Sequence, residues 1–258
     1  MQRRKITTSL QTARIRRGLN LRGLPLIPKS LWPGAPYNRT LFNEFVSWID
    51  RLQLPGAEWV MDVGANHGDF AQAAGVLFPG ARVVLVEPLP PLHAELQRRC
   101  AERGGRWQLA ACALSNQSGT ATLHVDPDAD DIGSLAGFSE EYLRANPNAQ
   151  ALRTFTCPVR TLDELCLELS IPKIDLIKID VEGFEFEVLA GGGRMLQATE
   201  ALIVEVSLMR RPQDADALER LLRLVRAAGF KLVDLLPSYH AEDRPWLPLE
   251  FNLIARRG

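Results

Sequence analysis

The segment Trp59-Val60-Met61-Asp62-Val63-Gly64-Ala65-Asn66-His67-Gly68-Asp69-Phe70 constrains this chain more than any other. An apolar run of strand length ends in an acid, opens into a loop holding Gly64, Asn66 and Gly68, and resumes with helical spacing from Asp69 to Phe78. Strand, tight turn and helix in that order form one unit of an open α/β sheet. Glycine and asparagine suit a turn that needs positive φ and a close approach of backbone to a ligand. Glu87 follows 25 residues after Asp62, at the end of the apolar run Arg82-Val83-Val84-Leu85-Val86. A carboxylate there, at the end of the second strand of a doubly wound sheet, accepts hydrogen bonds from the two hydroxyls of a ribose, so an adenosine is expected. The loop reads Gly-x-Asn-x-Gly and lacks the short glycine turn of a pyrophosphate site, which favours S-adenosylmethionine over NAD. An ordinary strand-to-helix turn accounts for the glycines alone, but not for the glycines together with Glu87.

The remaining elements follow in order. Apolar residues from Thr40 to Leu54 recur at helical spacing and Pro55-Gly56 stops them. Pro90-Pro91 opens a helix through about Arg103, and Gly104-Gly105 ends it. Trp107 to Ser115 reads as a third buried strand, with Thr120 to Val125 continuing in alternation. The loop after a third strand lies beside the adenine in such a sheet, which makes Ala113, Leu114 and Ser115 candidate contacts. The stretch 126–154 reads as an acceptor-side insertion, helical around Ser139 to Ala145. A short strand near Thr154 to Val159 precedes Thr161, an N-cap with Glu164 completing a capping box. The strand Ile174 to Ile179 ends at Asp180 and leaves through Glu182-Gly183 into a helix, placing both carboxylates at the carboxyl end of a central strand. Ala201 to Val206 is a further strand, with Glu205 near its end. A helix over Asp214 to Ala228 and strands Lys231 to Leu236 and Glu250 to Ala255 complete the pattern. Alternating strands and helices predict a doubly wound, mostly parallel sheet. The last two strands lie too close for a helical crossover, so the final one runs antiparallel, and the loop Pro237 to Pro248, with Tyr239 and His240, sits at the ligand-binding edge.

Charge divides the chain. Met1 to Asn43 holds nine Lys or Arg and no Asp or Glu, leaving 21 basic residues against 31 acidic in the remainder. Residues 1–39 read as a basic, flexible leader ahead of one domain over 40–258. The leader is expected to be a solvated tail with at most weak contact to an anionic surface, and no nucleic-acid partner is expected. The four cysteines (Cys100, Cys112, Cys157, Cys166) show neither a C-x-x-C pair nor zinc spacing. Free thiols, no apolar run of membrane-span length and no secretory core point to the cytoplasm.

Taken together, Asp62-Val63-Gly64-Ala65-Asn66-His67-Gly68, Glu87-Pro88, Ala113-Leu114-Ser115, Thr161-Leu162-Asp163 and Lys178-Ile179-Asp180-Val181-Glu182-Gly183 resemble the FkbM-type methyltransferases over roughly Glu58 to Ala255. The resemblance implies a class I methyltransferase fold, Rossmann-like and seven-stranded, with S-adenosylmethionine as cofactor. It implies that Asp62, Gly64, Asn66 and Gly68, with His67 in the same motif, line the methionine end, while Glu87 holds the ribose. It also implies methylation of a hydroxyl oxygen on a sugar, glycolipid or natural-product acceptor, with acceptor choice residing in 126–154 and 237–248. A nicotinamide oxidoreductase on a similar sheet lacks its dinucleotide loop here. A non-catalytic binding module sits poorly with Glu87, Asp180 and the glycine loop occurring together. For the acceptor proton, His240 is taken as the base with Glu182 orienting the acceptor, and Asp180 and Glu205 stand as further candidates. Asp180 could instead hold the cofactor's ammonium, and a Mg²⁺ site on the carboxylates ranks below direct base catalysis because no metal motif is complete.

Overall fold

The computed structural model describes residues 39–126, 129–135, 153–207, 217–240 and 248–258. The leader before residue 39, the helix expected around Ser139 to Ala145 and the loop 241–247 lie outside the described residues.

Helix α1 (Arg39–Arg51) leads into β1 (Trp59–Val63), α2 (Asp69–Leu77), β2 (Arg82–Val86), α3 (Pro90–Ala101) and β3 (Trp107–Ala110). Short β4 (Ala113–Leu114) is followed by β5 (Gly119–Asp126), β6 (Ala129–Ser134) and β7 (Arg153–Arg160). The chain then forms α4 (Leu162–Glu168), β8 (Leu176–Ile179), α5 (Glu185–Ala190), a 3₁₀ turn (Met195–Ala198), β9 (Ala201–Ser207), α6 (Ala217–Ala227), β10 (Phe230–His240) and β11 (Pro248–Arg257).

Seven strands form one sheet in the order β10-β11-β9-β8-β1-β2-β3. The five from β9 to β3 are parallel, and β11 lies antiparallel between β9 and β10, as the short connection requires. Strands β1 and β8 are buried along their whole length because helices cover both faces. One face carries Phe42, Phe45 and Ile49 of α1, Phe70 of α2 and Leu96 of α3. The other carries Leu162 and Leu165 of α4, Val188 and Leu189 of α5, and Leu221 and Val225 of α6. At the amino edge, Asp175 accepts the amides of Glu58 and Trp59 at 2.7 and 2.8 Å, locking β1 beside β8.

Three expectations need correction. The run Trp107 to Ser115 is two strands: a tight turn, with the Cys112 amide on the Ala110 carbonyl at 2.9 Å, ends β3, and β4 then pairs with Val159 and Arg160 of β7. The segments Thr120 to Val125 and Thr154 to Val159 pair with each other and, with β4 and β6, make a separate four-stranded sheet. Their alternation fits, since β7 buries only one face. The loop expected from Pro237 to Pro248 is shorter than read, because β10 continues to His240, in register with Pro248.

The capping box at α4 forms as read: the Glu164 amide donates to Thr161 Oγ1 at 3.1 Å and the Thr161 amide to Glu164 Oε2 at 3.4 Å. Thr161→Ala is expected to cost about 1 kcal/mol of unfolding free energy, measured by denaturant titration. No change in midpoint would show that the cap contributes nothing here.

Candidate active site

The parallel strands deliver the loop after β1, the end of β2, β4 and the turn after β8 to one carboxyl edge. There a cleft is lined by Gly64, Asn66, Glu87, Leu89, Ala113, Leu114, Asp180, Glu182 and Phe184, with Leu123 and Leu135 reaching in from the smaller sheet.

Glu87 is buried, and each of its oxygens is held by one amide: Asn66 N–H donates to Oε2 and Leu89 N–H to Oε1, both at 2.8 Å. Burial pushes its carboxyl above the ordinary range, while the amides of Leu89 and Asn66 oppose the shift. A carboxylate has about four acceptor positions, so both oxygens keep capacity toward the cleft. Asn66 stands at φ 51° and its Oδ1 accepts the His67 amide at 2.6 Å, which bends the loop so that its own N–H faces Glu87.

Gly64 lines the cleft at φ 72°, but its need for glycine comes from the protein itself. A Cβ there would stand 1.8 Å from the Asp180 carbonyl oxygen. Gly68, at φ 77°, begins α2, and a Cβ would press on Leu85 and Leu96 at 3.1 and 3.2 Å. It packs the helix and does not line the cleft.

Asp62 is fully buried beneath the loop and is not among the lining residues. Its Oδ2 accepts the Ala71 amide at 3.1 Å, tying β1 to the first turn of α2, and burial raises its pKa to about 7 against the pull of Lys178. His67 turns away to Glu95 on α3 at 3.3 Å, and Ser115 gives its amide to the Arg160 carbonyl; neither lines the cleft. Ala113 and Leu114 do.

At the other end, carboxylate oxygens of Asp180, Glu182 and Glu205 lie within 4.8 Å of one another, close enough to share a proton or chelate a cation. Burial, then the neighbouring Asp180 and Glu250, drive the Glu205 carboxyl well above its usual range. Glu182 stands at φ 56°, and the turn around it is held by Glu185, whose Oε1 accepts the amides of Val181 and Gly183 at 3.2 and 2.9 Å. His240 falls at the carboxyl end of β10, on the same edge, three strands along from β8, and its side chain lies outside the described residues.

Sequence reasoning named the Lys178–Gly183 run without giving Lys178 a role. Lys178 is buried beside Asp180 at 3.0 Å, the Gly64 carbonyl at 3.2 Å and Asp62 at 3.7 Å. A lysine inside an apolar strand was the available signal. Leu123 and Leu135 carried none, because their place in the cleft depends on how the smaller sheet pairs.

Residues 62–232 match the Methyltransferase FkbM domain, and the 2-O-methyltransferase NoeI of Sinorhizobium fredii is 33% identical over 190 residues, covering 70% of this chain and 71% of that protein. The chain belongs to the FkbM methyltransferase family. A second relative of this FkbM-family chain, the AMB antimetabolite synthetase AmbE of Pseudomonas aeruginosa, is 26% identical over 245 residues, 83% of this chain but only 11% of that much longer protein. Among solved structures, a candidate caffeoyl-CoA O-methyltransferase from Staphylococcus aureus shares the fold at a TM-score of 0.51 and 8% identity, with 100% of both chains covered.

Two outcomes are expected. Gly64→Ala should lower the thermal midpoint sharply, because the added Cβ meets backbone and the φ is unfavourable; an unchanged midpoint would return Gly64 to a purely ligand-facing role. Burial raises the pKa of Glu185 to about 7 from 4.5 despite the Gly183 and Val181 amides. Its neutral form is therefore favoured by folding, a contribution present below pH 4.5 and lost as pH rises to about 7. Glu185→Gln keeps the acceptor oxygen, so its midpoint should rise relative to the parent across that window. A pH-independent difference would defeat this assignment.

Proposed function

We propose that this chain transfers a methyl group from S-adenosylmethionine to a hydroxyl oxygen of a sugar, glycolipid or natural-product acceptor. The observation that carries the reading is Glu87, whose two oxygens are each fixed by an amide and open to the cleft one strand over from the glycine loop. A ribose diol fits that pair. Leu89, Ala113 and Leu114 then flank the adenine, while Gly64 and Asp180, between β1 and β8, border the methionine end. Oxygen as the target is supported by the relative whose name specifies 2-O-methylation.

When bound, the cofactor supplies a methyl already activated by its sulfonium. The protein's share is alignment, exclusion of water and a sink for the acceptor's proton. Leu123 and Leu135 wall the cleft against solvent. We place the proton sink at Asp180, Glu182 and Glu205, which stand together beside the methionine end. His240, on the same edge but on the outermost strand, is the second candidate.

The deciding experiment compares thermal stabilisation of the protein and of Glu87→Ala by S-adenosylhomocysteine and by NAD. S-adenosylhomocysteine should stabilise the parent and NAD should not, and Glu87→Ala should weaken its binding by about 1.5–3 kcal/mol. Stabilisation by NAD alone, or unchanged affinity in folded Glu87→Ala, would sink the assignment.

A further inference from the structure

Lys178 is the one buried ammonium under the cleft among the described residues, and its hydrogen-bonding partners include two groups that line that cleft. On β8, Leu176 and Lys178 face the layer of α1 and α2, and Lys178 stands in register with Asp62 of β1. The Nζ lies 3.0 Å from Asp180 Oδ2, 3.2 Å from the Gly64 carbonyl and 3.7 Å from Asp62 Oδ1, with the Phe45 ring 6.0 Å below. Two of its three donors are thus within hydrogen-bond distance of an acceptor and the third side meets Asp62 as an ion pair, while Lys178 itself does not line the cleft. Lys178 is therefore built to act through its partners.

Two of those partners line the cleft and the third does not. Gly64 brings a backbone carbonyl from the loop after β1, in the left-handed region at φ 72°, and Asp180 brings a carboxylate from the end of β8. Asp180 is also hydrogen-bonded to Glu205, which holds its carboxylate from a second side. The Gly64 carbonyl and the Asp180 carboxylate are both acceptors, both border the space between β1 and β8, and one cation fixes the distance between them.

We propose that Lys178 is a positioning residue for the amino-acid end of the cofactor: it sets the Gly64 carbonyl and the Asp180 carboxylate as a preformed pair of acceptors for an ammonium group. This rests on the cofactor reading above. A cation buried this way costs several kcal/mol unless its partners repay it, and the repayment here is spent on two groups that face a ligand. Glu87 is held separately, since its hydrogen bonds run to the amides of Asn66 and Leu89 and Lys178 reaches it only as the weakest of the charges around it.

That separation gives the test. S-adenosylhomocysteine carries adenine, ribose and the amino-acid end, whereas 5′-methylthioadenosine carries only the first two. Titration calorimetry of the full chain should show Lys178→Met weakening S-adenosylhomocysteine about tenfold or more while 5′-methylthioadenosine changes by less than about twofold. Glu87→Ala should weaken both ligands. Because Lys178→Met strands two carboxylates, Lys178→Met/Asp62→Asn is measured beside it, with the same split expected. Equal loss of both ligands in folded variants, loss of neither, or failure of both variants to fold would make Lys178 a structural residue and overturn the proposal. If the parent binds neither ligand while remaining folded, the cofactor reading itself falls and takes this role with it.

Discussion

The architecture of this site depends on how closely the chain leaving β1 can approach the chain leaving β8. At Gly64 the separation leaves no room for a single carbon atom: a Cβ would sit 1.8 Å from the Asp180 carbonyl oxygen. The approach follows from register. Strands β1 and β8 are direct neighbours, with Val63 opposite Ile179, so both chains turn out of the sheet at the same level. The amides of Gly64 and Ala65 are taken by the Val86 carbonyl at 3.0 and 3.1 Å, which draws the loop toward β2. The same turn thus presses on β8 from one side and is fastened to β2 on the other. Everything the cleft presents, from Glu87 across to Asp180, is spaced by that arrangement.

Beneath the turn the sheet pays electrostatically for this compactness. Asp62, Lys178, Asp180 and Glu205 project on the face covered by α1 and α2, a row of ionisable groups in an otherwise apolar layer. Burial favours the neutral form of Asp62, Lys178 and Glu205. Lys178 nevertheless has its pKa raised, because the attraction of Asp180 and Asp62 overcomes the cost of burial. Asp62, with one oxygen on the Ala71 amide and the other facing Lys178 only at 3.7 Å, is left near neutrality. The gradient matters for chemistry. A carboxyl that ionises reluctantly holds a proton more firmly than a free one, and Glu205, driven well above its usual range by burial and by Asp180, stands beside Asp180 and Glu182 at this end of the cleft.

What could be read in the sequence was whatever local chemistry dictates. The apolar run ending at Asp62, the positive φ of Asn66 and Gly64, the position of Glu87 just past the second strand and the Thr161 capping box all follow from a few adjacent residues, and each stands where its pattern placed it. The direction of β11 was legible too, because ten or so residues cannot make a parallel crossover. Side-chain roles inside the motif were not. Asp62, His67 and Gly68 belong to the same motif as Gly64 and Asn66, yet they serve α2 and α3: Asp62 lies in β1 under the turn and accepts the Ala71 amide, His67 reaches Glu95, and Gly68 caps α2 against Leu85 and Leu96. The roles of Lys178 and Glu185 were hidden for a related reason: their partners come from Gly64 in one case and from the backbone of the turn itself in the other.

The smaller sheet was the least legible part and bears most on what the cleft admits. Alternation over Thr120 to Val125 and Thr154 to Val159 identifies strands without saying with which sheet they pair. Pairing with β4 takes β5 and β7 off the main sheet and turns Leu123 toward the cleft, with Leu135 following from the end of β6. The cleft is therefore walled by two sheets that share one core. The main sheet supplies polar groups held by backbone amides and by Lys178, whereas the smaller sheet supplies apolar side chains held only by packing. Groups fixed by hydrogen bonds set the orientation of a ligand, and apolar walls set the shape it must have. A chain of this kind can vary the second with little effect on the first, since the amides on Glu87 come from Asn66 and Leu89 and the cation on Asp180 from β8.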